Sequence, residues 1–342
     1  MLLVYGAYGY TGELIAETAV DRGLETVVAG RDDLRVEHLA ERLDRPGRAF
    51  AVDAAASHLD DVEVLLNCAG PFADTAEPLV DACVETGVDY LDIAGELSVF
   101  EALAERDREA ERAGVCLLPG VGFDVVPTDC LAGHLHDRHP AATTLRLGFD
   151  VDGGVSGGTL TSALEHAGAG GRVRRDGEVV EAPLAHRSRY VDFGRGERNA
   201  VTVPWGDVST AYYTTGIENV EVYAAMPEGV ERALQLARPL LPLLGVEPVG
   251  RVLRSAAGAV TGPSAAEREA GAGYVWGEAT DGERTVVTRL RTPEPYALTV
   301  DAATTAAERV LAGDRTGFET PAAAFTPEFA LELDGIEGFL DG

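Results

Sequence analysis

The chain has 342 residues, 46% of them hydrophobic, and a formal net charge of −29. This length and apolar content suit two domains with substantial cores. Because so acidic a protein would repel the phosphates of DNA and RNA, the charge argues against a nucleic-acid partner. The sequence contains no run of 18 apolar residues and no basic leader, so we expect a cytoplasmic protein without a transmembrane helix.

All 28 basic residues are arginine, and lysine is absent. Acidic residues spread along the whole chain are typical of salt-loving organisms, where screening reduces the self-repulsion of the fold. The absence of lysine excludes a Schiff-base lysine, a phosphate-loop lysine and the Tyr-x-x-x-Lys pair of short-chain dehydrogenases. The four cysteines form no C-x-x-C pair, and no histidine lies at metal-ligand spacing, so we expect reduced thiols and no metal site.

The first dozen residues predict the opening of a dinucleotide-binding βαβ unit. An apolar run at 2–5 precedes a G-x-x-G-x-x-G turn, and apolar positions at helical spacing follow it. The three glycines would permit a tight turn, a close pyrophosphate and close packing of the helix, whose free N–H groups would face the phosphates. A glycine turn without a ligand is the alternative. The candidate cofactor contacts here are Gly6, Tyr8, Gly9, Tyr10, Thr11 and Gly12.

Residues 1–126 alternate strands with helices, which predicts an α/β domain of the Rossmann type with a doubly wound parallel sheet. In the predicted helix at 33–43, we expect Leu34, Leu39 and Leu43 to face inward. Predicted strands after the first lie at 26–29, 49–53, 62–66, 90–93 and 115–118, and further predicted helices at 75–86 and 98–112.

Residues 127–296 predict an α+β substrate domain on a mostly antiparallel sheet. The segment 297–342, with a helix at 297–312, is expected to return to the first domain. An apolar stretch at 230–246 suits a core helix, a lid over an apolar pocket, or an interfacial segment in peripheral contact with a membrane. The predicted elements are strands at 143–151, 187–191 and 220–223, a helix at 157–167, and a hairpin of 273–280 with 284–291.

The end of the second strand indicates the choice of cofactor. An acidic residue there would favour NAD, whereas this chain has Arg31, whose guanidinium can bind a 2′-phosphate. Arg35 would give a second contact. The alternative is that Arg31 pairs with Asp32 and Asp33. We predict NADP, with NAD as the less favoured cofactor.

Two further strand ends are candidate cofactor contacts. Asp53 ends the predicted third strand, where it would hold the adenine amine or cap a helix. Small residues after the fourth strand would let a ribose and the nicotinamide lie against the backbone. Phe72 would pack against the nicotinamide ring or, as an equally good alternative, be an ordinary residue of the hydrophobic core. The contacts after the fourth strand are Cys68, Ala69, Gly70, Pro71 and Phe72.

The proton donor is sought among carboxylates at the ends of the fifth and sixth strands. Glu96 and Asp124 are the candidate catalytic residues, each able to relay a proton beside a hydride transfer. Asp92, at the end of the fifth strand beside Glu96, could relay a proton in the same way. Helix capping explains each of them as well. The three histidines at 134, 136 and 139 are expected at the surface.

Several motifs together resemble the saccharopine dehydrogenase-like oxidoreductases, and more narrowly their trans-acting enoyl reductase branch. The resemblance implies a Rossmann domain with an inserted α+β domain, and NADP as the cofactor. Tyr8 departs from the family pattern, which usually has a small residue there. The motifs are GAYGYTG (6–12), GR (30–31), NCAGPF (67–72), DYLDIAGE (89–96), PGVGFDVVPTD (119–129), SGGTLTSALE (156–165), YVWGEATDGE (274–283) and TPAAAF (320–325).

Residues and resemblance together predict an NADP-dependent oxidoreductase. By analogy with the enoyl reductase branch, it would reduce a C=C or C=N bond of an apolar or lipid-like small molecule. We expect a homodimer. The alternative is a non-catalytic NADP-binding sensor or regulatory protein on the same fold, which would need no proton donor near the nicotinamide.

Overall fold

The computed structural model describes residues 1–152, 170–229 and 262–342. The chain divides into two compact units, Met1–Asp124 with Tyr296–Ala324, and Val125–Pro295 with Phe325–Gly342. The strands are β1 (Leu2–Tyr5), β2 (Thr26–Gly30), β3 (Gly47–Ala49), β4 (Val64–Asn67), β5 (Asp89–Asp92), β6 (Cys116–Leu118), β7 (Thr144–Asp152), β8 (Gly171–Arg175), β9 (Glu178–Ala182), β10 (Ser188–Asp192), β11 (Glu197–Thr202), β12 (Asn219–Ala225), β13 (Ala272–Thr280), β14 (Thr285–Pro293), β15 (Gly317–Phe318) and β16 (Leu340–Asp341).

Helices cover much of the remaining described chain. They are α1 (Tyr10–Asp21), α2 (Asp33–Leu43), α3 (Phe72–Thr86), α4 (Leu97–Ala104), α5 (Asp107–Ala113), α6 (Val126–Arg138), α7 (Asp207–Thr215), α8 (Ala265–Ala270), α9 (Pro295–Leu311) and α10 (Pro321–Phe325), with 3-10 helices at Val52–His58 and Pro327–Glu332. No helix within the described ranges is long and apolar enough to cross a membrane.

The first unit is a doubly wound parallel sheet, which confirms the predicted fold class. Its strand order is β3-β2-β1-β4-β5-β6-β15, and all pairs are parallel. Strands β1, β2 and β4 are buried along their whole length, as expected for a sheet covered on both faces. The strand order reverses between β1 and β4, and ligands of such sheets bind beyond the carboxyl ends at this switch point.

Three local predictions in this unit are wrong. Leu34 is 75% exposed, whereas Val36 and Leu39 are buried. Leu34 precedes Leu39 by five residues, which is about 140° around a helix, so the two side chains cannot share one face. The Asp32 carboxylate caps α2 by accepting from the Arg35 N–H. The predicted strand at 49–53 ends at Ala49 and gives way to a 3-10 helix. The predicted helix at 98–112 is two helices, α4 and α5.

The second unit is built on a sheet in the order β10-β11-β12-β7-β13-β14-β16, with β8 and β9 attached to β12. Only β12 and β7 run parallel among its described pairs, so the predicted mostly antiparallel sheet is confirmed. The predicted hairpin is β13 with β14. The predicted helix at 157–167 and the apolar stretch at 230–246 lie outside the described residues.

The C-terminal tail differs from the predicted bounds of 1–126, 127–296 and 297–342. Residues 296–324 belong to the first unit, but residues 325–342 belong to the second. Strand β16 pairs with β14, and the Thr288 hydroxyl donates to Asp341 at 2.8 Å. The prediction that all three histidines of α6 and its end lie at the surface is also wrong. His139 is buried, and its Nε2 lies 3.4 Å from the Asp281 carboxylate.

Candidate functional site

The glycine turn between β1 and α1 is tightly packed at the switch point. Gly6 has a φ of 77°, and a Cβ there would lie 2.8 Å from the Cβ of Ala69. A Cβ at Gly12 would lie 2.4 Å from the carbonyl oxygen of Gly6. No described side chain caps the N-terminus of α1, where Gly9 is the N-cap. Tyr10 and Thr11 form the first turn of this helix, so its N–H groups face the end of the turn, as in phosphate-binding helices.

Tyr8 fills the space beyond β2. A Cβ at Gly30 would lie 2.4 Å from Cε1 of the Tyr8 ring, so the ring requires glycine there. The Tyr8 hydroxyl accepts a hydrogen bond from the Asp32 N–H at 3.2 Å. Arg35 stacks on the ring at 4.4 Å and donates to the Tyr8 carbonyl at 2.8 Å. Tyr8 therefore holds Arg35 beside residue 31, a role that the glycine spacing alone did not reveal.

Arg31 follows directly after β2 and is exposed. Within the part of the chain that the structure describes, it forms no ion pair with Asp32 or Asp33. Asp32 instead caps α2. The Arg31 guanidinium is thus available to a dianionic group at the end of β2, such as a 2′-phosphate.

Asp53 does not end a strand. It lies, exposed, in the first turn of the 3-10 helix Val52–His58. Burial raises the pKa of Tyr5, and the negative charge of Asp53 adds to this shift. The Tyr5 hydroxyl donates to the Phe50 carbonyl at 3.0 Å. Asp53 therefore lies near the carboxyl end of β1, although on a different element from the predicted one.

The segment after β4 is fixed by Asn67, which sequence reasoning missed. The buried Asn67 side chain accepts from the Ala69 N–H at 2.9 Å and donates to Thr75 and to the Tyr90 hydroxyl, both at 3.1 Å. Thr75 donates in turn to the Ala69 carbonyl at 2.7 Å. The only sequence signal was a lone Asn at the end of an apolar strand.

The rest of this segment forms a compact turn into α3. The Gly70–Pro71 peptide is cis. Phe72 is the first residue of α3 and is buried, and its ring lies 3.7 Å from the position of a Cβ at Gly70. Burial, with the charge of Asp92, raises the pKa of the Cys68 thiol, so this thiol stays protonated at neutral pH.

The Asp92 carboxylate links the ends of β5 and β6. Its Oδ1 accepts from the N–H groups of Ala94 at 2.9 Å and Gly120 at 2.8 Å, and its Oδ2 accepts from the Tyr90 hydroxyl at 2.9 Å. Burial raises its pKa to about 6, and these hydrogen bonds act in the opposite direction. Asp92 therefore has a structural role, because both of its carboxylate oxygens accept hydrogen bonds from the protein itself.

Glu96 and Asp124, the predicted catalytic pair, are brought together at this edge. A Cβ at Gly95 would lie 2.8 Å from Oδ2 of Asp124, so the Asp124 carboxylate lies over the residue before Glu96. Burial raises the pKa of Glu96 to about 7, and the charges of Asp92 and Asp124 add to it. Burial raises the pKa of Asp124 to about 6. Perturbed carboxyls at strand ends are typical of groups that exchange protons near neutral pH.

Glu96 does not cap the helix that it precedes, and the N-cap residue of the helix after Asp124 makes no side-chain bond. Glu96 occupies the N-cap position of α4, but its side chain makes no capping bond, and its Oε1 instead accepts from the Phe72 N–H at 3.4 Å. The N-cap of α6 is Val125, again without a side-chain cap. The Thr128 hydroxyl donates to the Val125 carbonyl at 3.0 Å.

Comparison with known proteins agrees with this geometry. Residues 2–118 match the family model of the saccharopine dehydrogenase NADP binding domain. This segment contains β1 to β6, the glycine turn, Arg31 and Glu96. NADP, the predicted cofactor, is the one named for this family of domains.

Among curated proteins, relatives share about 30% identity over part of their length. A mouse saccharopine dehydrogenase-like oxidoreductase is 28% identical over 205 residues, covering 51% of this chain and 47% of the mouse protein. A Mycobacterium tuberculosis protein provisionally named a trans-acting enoyl reductase is 28% identical over 187 residues, covering 48% of this chain and 43% of that protein. The match thus spans about half the length of these relatives.

Among solved structures, saccharopine dehydrogenase (L-Glu forming) from Saccharomyces cerevisiae in its apo form has a TM-score of 0.67. The alignment covers 100% of this chain and 99% of the yeast chain at 13% identity. At this identity the likeness establishes a shared fold and leaves the substrate open.

Proposed function

We propose that this chain is an NADP-dependent oxidoreductase that reduces a C=C or C=N bond of an apolar or lipid-like small molecule. The observation that carries the proposal is the glycine turn packed against Ala69 at the switch point of the sheet. When bound, NADPH supplies a hydride. The name of the Mycobacterium tuberculosis relative supports the bond class by analogy.

The chain's own residues take three roles in this proposal. The turn and the start of α1 hold the pyrophosphate, and Arg31 with Arg35 holds the 2′-phosphate. The segment Cys68–Phe72, fixed by Asn67, supports the nicotinamide ribose. Glu96 holds the proton that the reduced product needs, because a carboxyl with a pKa of about 7 is half protonated at neutral pH.

The proposal is tested by NADPH oxidation, followed by absorbance, against enoyl lipids, polyprenyl compounds and imino acids. Gly9→Val is the binding control, because a side chain there would occupy the space of the pyrophosphate. We expect turnover with one substrate class, its loss in Gly9→Val, and a strongly reduced kcat in Glu96→Gln with NADPH affinity retained. NADPH binding without turnover on any class would favour the sensor.

Three further expectations remain proposals. Dispersed acid without lysine supports a salt-adapted protein, whose melting temperature would fall as molar salt is removed. A cytoplasmic location and a homodimeric state are predictions that follow from the sequence interpretation alone.

A further inference from the structure

One face of the second unit's sheet carries a row of charged side chains. Glu221, Arg146 and Glu278 are direct register partners on β12, β7 and β13. Arg146 donates to Oε1 of Glu278 at 2.5 Å, and its Nε lies 3.7 Å from Oε2 of Glu221. One arginine is thus shared by two carboxylates.

Further arginines converge on the same two carboxylates. Arg175 and Arg187 both donate to Oε1 of Glu221, the latter at 2.7 Å. Arg189 binds both oxygens of Glu278, at 3.2 and 3.0 Å. We call the four arginines 146, 175, 187 and 189 with Glu221 and Glu278 the arginine cluster.

The composition of the arginine cluster reverses that of the chain. The whole protein has 57 acidic residues against 28 arginines, about two acids for each cation. The cluster has two cations for each acid, which leaves an excess positive charge in a strongly acidic protein. Such a local reversal attracts anions that the rest of the surface repels.

Glu221 organises the arginines that surround it. Its side chain is 1% exposed, and its other oxygen accepts from the Tyr223 hydroxyl at 2.8 Å. Burial alone would raise its pKa, but the bonds from Tyr223 and Arg175 lower it, so Glu221 is charged at neutral pH. Arg187 uses only Nη1 in its contacts with described residues, and its side chain is 55% exposed.

The neighbouring groups make the cluster rigid. Arg189 stacks on Trp276 at 4.8 Å. His186 lies 3.7 Å from Glu221, and its Nδ1 is 2.9 Å from the Thr202 hydroxyl. Burial, with the charges of Arg187 and Arg175, lowers the pKa of His186, so its imidazole is neutral at pH 7. The excess charge therefore comes from the guanidinium groups.

We infer that the arginine cluster binds the oxyanion group of a small molecule, a carboxylate or a phosphate, through Arg187 and Arg175. A guanidinium presents two parallel N–H donors to such a group, and one arm of Arg187 is already fixed by Glu221. The site lies wholly within the second unit, so it stands independently of NADPH and of the proposed reaction.

Titration calorimetry of the whole chain, with succinate and with inorganic phosphate at constant ionic strength, tests the inference. We expect saturable binding of one probe, and Trp276 fluorescence that changes with occupancy. Arg187→Ala should weaken that binding by about ten- to a hundredfold, the range for a charge-assisted contact. The matched control is Arg198→Ala, a half-exposed arginine of the neighbouring strand whose Nε lies 3.8 Å from Asp150.

The comparison of the two variants decides the inference. Binding lost in Arg187→Ala and retained in Arg198→Ala supports it, and the preferred probe identifies carboxylate or phosphate. No saturable binding of either probe to the wild type overturns it. Equal weakening in both variants also overturns it, because the general charge would then explain the effect.

Discussion

The pKa values of buried carboxyl groups are shifted upward in the first unit and downward in the second. In the first unit, the pKa values of Asp92, Glu96 and Asp124 are raised to about 6, about 7 and about 6. In the second unit, the pKa values of Glu221 and Glu278 are lowered although both side chains are largely buried. Burial raises the pKa in every case, so burial is not what distinguishes them.

The difference lies in where the arginines are. Glu278 receives hydrogen bonds from Arg189 and Arg146, which outweigh its burial. Burial raises the pKa of Asp124. In a chain without lysine, the placement of arginine decides which buried carboxyls keep a proton near neutral pH. Buried carboxyls with raised pKa values and buried carboxylates with lowered pKa values thus lie in different units.

The largest effect on stability is expected at Glu221, a buried carboxylate with a lowered pKa. Glu221→Gln removes the charge that Arg175 and Arg187 surround, and should lower the free energy of unfolding by roughly 3 kcal/mol, because paired guanidinium groups would be left together without a counter-charge. Denaturant titration at neutral pH measures this. Glu181→Gln, which removes an exposed partner of Arg172, is the control and should cost under about 1 kcal/mol. A cost for Glu221→Gln no larger than that of the control would contradict the role of Glu221.

The pH dependence of stability should have opposite signs in the two units. A carboxyl with a raised folded pKa destabilises the fold as pH rises from its unfolded value toward the folded one. Between pH 4.5 and 7, Glu96→Gln should therefore gain stability relative to wild type, by roughly 3 kcal/mol for the full shift. The pKa of Glu278 is lowered by its hydrogen bonds from Arg189 and Arg146, so its contribution to stability is present above the pKa of an unfolded glutamate and is lost as pH falls through the lowered value. The stability deficit of Glu278→Gln relative to wild type should therefore shrink in acid. Chemical unfolding across pH measures the free energy of unfolding of each variant relative to wild type. If this difference changes with pH in the same way for both variants, the two units do not differ as described.

Arg31 tests the same comparison with an arginine instead of a carboxylate. Unlike Arg189, it has no carboxylate partner among the described residues, so its charge is available to a ligand. Arg31→Ala should weaken NADPH binding by roughly 1.5–3 kcal/mol, about ten- to a hundredfold, and leave NADH nearly unchanged. Calorimetry with both cofactors checks this. Equal weakening would make Arg31 structural, and a wild-type preference for NADH would refute the assignment of the 2′-phosphate.

The smallest effect is expected at Tyr8. Tyr8→Phe keeps the ring under Arg35 but removes the hydroxyl that accepts from the Asp32 N–H. Loss of one neutral hydrogen bond should weaken NADPH binding by about 0.5–1.5 kcal/mol. Tyr8→Ala removes the ring as well and should discriminate against NADPH more strongly. If both variants bind NADPH as the wild type does, Tyr8 does not position Arg35.

Sequence reasoning succeeded where the determinants are local. The turn after β1, the strand runs other than 49–53 and the hairpin around Asp281 each depend on a few neighbouring residues, and these elements appear within two residues of the predicted bounds. Leu34 shows the limit, because residues three or four apart share a helix face, as the buried Val36 and Leu39 do, whereas Leu34 and Leu39 are five apart. The run at 49–53 suits a strand or a 3-10 helix equally, so Asp53 was assigned to the wrong element.

The candidate site was only partly predictable for a different reason. Glu96 and Asp124 follow strands that a doubly wound sheet brings to one edge, so fold class alone placed them together. The arginine cluster depends on the register of β12, β7 and β13. Arg146 and Glu221, for example, are more than 70 residues apart in the sequence, so no local pattern connects them. Tyr8 acts through a side chain that stacks across to α2, which no spacing rule describes.

The hydrogen-bond chain from Thr75 through Asn67 and Tyr90 to Asp92 locks the strand ends without any help from a ligand. Its amide partners, Ala94 and Gly120, should exchange with deuterium slowly before any nucleotide is added. Little ordering entropy would then remain to be lost when the nicotinamide end of the cofactor arrives. The ends of β4, β5 and β6 would behave as a rigid surface for the nicotinamide, and the adenosine end of the cofactor, near the exposed Arg31, would be the part that adapts.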